Sequence, residues 1–106
     1  MLNSGAEKEA MSFVNIYDEF GDSADFKFLM GLIYMKNGLF DNAVKEFKKA
    51  VLYKDCKVEG VNSYQAYYNI GVIYECLGYK DKALEYYEQC GDYENAQNRE
   101  AYIKNN

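Results

Sequence analysis

Few side chains in this sequence could do chemistry. Histidine, the usual general base near neutral pH and a frequent metal ligand, is absent from all 106 residues. The three thiols, Cys56, Cys76 and Cys90, are odd in number and contain no C-x-x-C pair of the kind that zinc or dithiol chemistry uses. Reduced, unpaired thiols are the expected state. Cys76 is the best placed of them for reactivity, yet no basic residue flanks it to favour the thiolate. The paired acids Asp41 with Glu46 and Glu85 with Glu88 fall on helical surfaces, where a solvated charged face explains them. No G-x-S-x-G elbow, glycine-rich phosphate loop or metal-ligand cluster is present. The chain is therefore expected not to be an enzyme, and to hold no metal and no cofactor.

Composition narrows the partners. Twelve tyrosines stand beside no tryptophan and no proline, and the formal net charge is −5. Basic residues are scattered among acidic ones instead of gathered in a stripe, which argues against nucleic acid or an anionic membrane surface as the partner. No run approaches 18 apolar residues, and the opening MLNSGAEKEAM lacks signal-peptide character. A single cytoplasmic domain is expected.

Tyr64 to Cys90 repeats the plan of Ala24 to Ala50. Gly31 answers to Gly71, Tyr34 to Tyr74, Gly38 to Gly78, Ala43 to Ala83 and Phe47 to Tyr87, always 40 residues apart. Glycine in mid-helix costs about 1 kcal/mol against alanine, so Gly31 and Gly71 imply close approach of a partner helix. Ala43 and Ala83 are expected to supply the small surface opposite them. Gly38 and Gly78 fall where left-handed helix ends are expected, and Asp41 and Asp81 then open the following helices, where an acidic side chain suits the macrodipole.

This pattern, L-G-x2-Y followed by A-x3-F, resembles the tetratricopeptide repeat, a 34-residue helix-turn-helix unit. The second copy carries Tyr67, Asn69, Ile70, Gly71, Tyr74, Ala83 and Tyr87 in register; the first carries Met30, Gly31, Tyr34, Ala43, Phe47 and Ala50, with Lys27 in place of the consensus Trp. The resemblance implies an all-α, right-handed superhelix of antiparallel helix pairs. Helices are expected over about 4–20, 25–37, 40–53, 63–77, 80–90 and 93–104. Residues 1–22 read as a leading helix with a Ser4/Glu7 capping box. They are expected to be the second half of a repeat whose first half is missing. Repeats then cover 24–57 and 64–97, and a capping helix covers 93–106. The 40-residue offset exceeds the repeat period by six, so 58–63 is an extension, either a loop or added helix.

The same resemblance implies a concave groove lined by the first helix of each repeat. On this chain it is lined by Asp25, Phe28, Leu29, Leu32, Met35 and Lys36, then Gln65, Tyr68, Asn69, Val72, Glu75 and Cys76. A protein or peptide is the implied ligand, held by apolar anchors, with Asn69 on its backbone. Against this stands the reading of Phe28, Leu29 and Leu32 as core beneath the leading helix. The groove lacks the basic pair with which chaperone-binding members clamp a terminal carboxylate. Ala10, Val14 and Tyr17 mark an alternative, a homodimer through the leading helix. More broadly, Ser23 to Tyr93 resembles the tetratricopeptide region that follows the catalytic domain of some bacterial family-two glycosyltransferases, which implies an accessory role to such an enzyme.

Overall fold

The computed structural model describes residues 23–105 as five helices with no strand among them: α1 (Ala24–Lys36), α2 (Phe40–Ala50), α3 (Tyr64–Cys76), α4 (Lys80–Glu88) and α5 (Glu94–Lys104). The expected leading helix, and with it Ala10, Val14 and Tyr17, lies outside the described residues. Helices α1 with α2, and α3 with α4, form two hairpins; α2 packs on α3, and α5 packs on α4. The Cα trace spans 44 × 35 × 15 Å, a slab two helices deep. The helices pack in chain order, so α3 lies between α2 and α4.

Local chemistry sets the ends of these helices. Ser23 caps α1, its hydroxyl accepting from the Phe26 amide at 3.1 Å. Both hairpins close alike. Gly38 and Gly78 take φ of 78° and 88°, which allows the amide after each glycine to reach back 2.9 Å to the carbonyl of Tyr34 or Tyr74. The side chain of Asn37 adds a bond to the Ile33 carbonyl at 2.8 Å.

Each mid-helix glycine admits an aromatic ring. A Cβ on Gly31 would lie 2.5 Å from the Phe47 ring, and one on Gly71 2.6 Å from the Tyr87 ring. Sequence reasoning placed Ala43 and Ala83 there. Both alanines are fully buried, but the surface against the glycine is the ring one turn later. Phe28, Ala43, Val44, Phe47, Ala66 and Ile70 belong to one core, while Ala83, Tyr87, Cys90, Ala96 and Ile103 form a second. Tyr74 packs against both and stacks on Tyr86 with ring centroids 5.7 Å apart. Cys90 replaces Ala50 at a buried small-residue position, where burial pushes its thiol up to about 12.

The extension adds no helix. It folds into turns that bury Val61. Gly60, at φ 84°, lies beneath the Tyr64 ring, and Asn62 donates to the Tyr53 carbonyl at 2.9 Å. Asp25 of α1 holds the other end, its two carboxylate oxygens accepting from the amides of Lys57 and Val58 at 2.8 Å each.

Candidate functional site

The first helices of the two repeats present matched outer stripes, Asp25, Leu29, Leu32 and Lys36 on α1, and Gln65, Asn69, Val72 and Cys76 on α3. Residues at i, i+4, i+7 and i+11 share a helix face, so each stripe is continuous. Leu29 and Leu32 are 39 % and 38 % exposed, large apolar groups with one face in water. Asn69 and Val72 are half-buried, α3 being flanked by α2 and α4.

The expected groove residues divide into two groups. Phe28 is buried, its ring tilted against Phe47 with centroids 5.3 Å apart, so it belongs to the core and cannot serve as an exposed anchor. Met35 is half-buried against the same core. Tyr68 packs against Tyr87 and Tyr93, with ring centroids 5.7 and 5.5 Å away, and is half-buried. Asp25 is committed to the extension. Its two amide bonds, that from Lys57 foremost, hold its carboxyl below the usual range. Gln65 donates to the Glu59 carbonyl, and the Asn69 amide nitrogen donates to the Gln65 carbonyl at 3.0 Å. That bond leaves the Asn69 side-chain oxygen as the polar group of the stripe.

Glu75 is engaged as well. Arg99 of α5 bonds it through two guanidinium nitrogens, and the Tyr87 hydroxyl donates to it at 2.7 Å. The Arg99 bonds, with Tyr87 assisting, hold the Glu75 carboxyl below its ordinary value; burial, and then the bond to Glu75, raise the Tyr87 hydroxyl. The repeat pattern does not announce this contact. Its only signal is that Arg99 is the single arginine in the sequence, and a planar guanidinium suits a bidentate carboxylate. Cys76 is exposed at the end of its stripe.

Lys27, at the consensus Trp position, is buried at 4 % exposure. Desolvation lowers its pKa, and the charge of Glu46 offsets part of that. Among the described residues no group of His, Cys, Asp or Glu could hold a metal ion, and no helix is long and apolar enough to cross a membrane.

No individual curated protein matches the chain. The family comparison agrees with the geometry: the tetratricopeptide repeat matches residues 24–55 and again 64–97, the same two hairpins. Such repeats generally mediate protein–protein interaction, and their fold is the helical solenoid seen here. With more than half its length matched, this chain belongs to the tetratricopeptide repeat family.

Proposed function

We propose that the face formed by α1 and α3 binds a segment of a partner protein, with Leu29 and Leu32 as apolar anchors and Val72 extending the surface. Asn69 supplies a polar contact to the bound backbone. The observation that carries this reading is the continuity of the two stripes. The repeat gives Leu29 and Leu32 the same positions on α1 that Asn69 and Val72 have on α3, and the exposed leucines are the largest apolar groups of the two stripes. An exposed apolar pair on a helical surface is the kind of feature on which an amphipathic segment lays its apolar face. Glu75 and Asp25 contribute to the frame and not to the contact, each being bonded within the chain.

The reading makes the protein a non-catalytic interaction module. The similarity of 23–93 to glycosyltransferase-associated repeats supports placing such a module beside a sugar-transferring enzyme, where it would position a protein without touching the chemistry. A peptide library displayed on phage and selected on the protein tests the groove. Selected peptides should lose at least about tenfold in affinity on Leu29→Asp with Leu32→Asp, a substitution on an exposed face that leaves the melting temperature near wild type, because about 1.4 kcal/mol is tenfold. Peptides that bind the double variant as tightly as wild type would overturn it.

A further inference from the structure

The outer faces of α2 and α4 carry opposite charge at equivalent positions. Lys45 and Lys48 of α2 become Glu85 and Glu88 of α4 forty residues on, and all four are exposed. On α4 the acidic line runs from Asp81 through Glu85 and Glu88 to Asp92, the last beyond the helix end, while on α2 Lys49 adds a further cation beside the pair. None of Lys45, Lys48, Glu85 and Glu88 is a partner in the ion pairs of Lys49 with Glu46, Arg99 with Glu75 or Lys104 with Glu100 among the described residues. The basic line also edges an apolar cleft of about 270 Å³ floored by Val44, Ile73 and Leu77.

We infer that this face pairs with a second copy of the chain, α2 of one protomer lying on α4 of the other. The repeat makes the geometry self-consistent. Helices α2 and α4 are the corresponding second helices of two repeats, and both pack on α3. A two-fold axis parallel to them and passing between them lays α2 on the partner's α4 and, in the same operation, α4 on the partner's α2. Equivalent residues then meet at equal height, so lysines 45 and 48 oppose glutamates 85 and 88 twice over. Such a contact is isologous and closes at two subunits. Asp41 opposes Asp81 at the helix starts, the one like-charged level, and Lys45 one turn away reaches the same aspartate. Potentials of opposite sign across a face set its register and speed its association. The pairing uses α2 and α4 and not the α1 stripe of Leu29 and Leu32, so both copies keep that stripe open and the dimer is bivalent.

Mass measured by light scattering during gel filtration tests this on the described chain in full. Wild type should be dimeric near about 50 mM salt and shift toward monomer near about 500 mM, where the screening length falls to a few ångströms. Lys45→Glu with Lys48→Glu should be monomeric in both, as should Glu85→Lys with Glu88→Lys. The four side chains are exposed, and unchanged helical circular dichroism in each variant confirms the fold. Mixing the two variants should restore a dimer at low salt, because each then offers the other a complementary face on both helices. A monomeric wild type at low salt, a dimer that survives either pair of reversals, or a mixture that stays monomeric would each overturn the inference.

Discussion

The two repeats share a frame and differ in what is fastened to it. In the first, a phenylalanine ring, Phe47, rests on Gly31, and nothing polar restrains it. In the second, Tyr87 rests on Gly71 and its hydroxyl is bonded to Glu75, which Arg99 of the last helix also grips. One oxygen atom at the end of a ring thus turns an apolar contact into part of a polar link between α3, α4 and α5. The comparison separates two jobs within one motif. The glycine and ring set how closely the hairpin closes, and the substituents decide what may dock on it.

Truncating the rings gives the largest effect. Phe47→Ala and Tyr87→Ala should each cost about 3–5 kcal/mol in urea denaturation, the usual range for a buried aromatic removed to alanine. Tyr87→Ala should also loosen α5, seen as faster amide exchange over residues 94–104. Filling the glycines comes next and distinguishes the repeats. Gly31→Ala and Gly71→Ala both drive a methyl into a ring, at about 1–3 kcal/mol for overpacking. Gly71→Ala should be the worse of the two, since the hydroxyl bond keeps Tyr87 from tilting away. Equal losses would show that the bond does not fix the ring.

Making the repeats alike is a smaller change. Tyr87→Phe gives the second repeat the first one's ring and should cost about 1.5 kcal/mol, the low end for a hydrogen bond to a charged group. Arg99 still satisfies Glu75, so the variant should unfold cooperatively. The acid limb of stability is the mildest test. Asp25 and Glu75 have carboxyls lowered from 3.8 and 4.5, so each contributes stability that is present above its unfolded value and is lost as pH falls through its lower folded value. Asp25→Asn should be less stable at neutral pH and show a shallower loss below about pH 4 than wild type. An unchanged acid limb would mean that the bonds from Lys57 and Val58 to Asp25 contribute nothing to stability in solution.

Much of the frame was readable before any coordinates. The constant offset from Gly31 to Gly71 and from Phe47 to Tyr87 located both hairpins, because a periodic backbone demands periodic small and aromatic residues. Gly38 and Gly78 marked the turns for the same reason. The groove was harder to read. Phe28 and Leu29 are adjacent and equally apolar, and only the rotation of α1 against α2 buries the first and leaves the second exposed. The roles of Asp25 and Glu75 depend on partners 32 and 24 residues away, a range at which repeat periodicity carries no information. The extension lay outside the pattern altogether, so its turns and its buried Val61 followed from packing that no spacing encodes.

The grip of Asp25 on the extension also bears on how the chain acquires its structure. Helical arrays of this kind have contacts between neighbours, and such chains fold unit by unit and fray from their ends. Here the first turn of α1 is tied to amides 32 and 33 residues downstream, immediately before the second hairpin begins. Forming that tie closes a loop containing the whole first hairpin, a cost that rises only slowly with loop length and is small once α1 and α2 have docked. Assembly of the first hairpin is therefore the step that presents the second with a fixed starting point. Opening of the first turn of α1, conversely, releases the entry to α3, so order in the first hairpin supports order in the second.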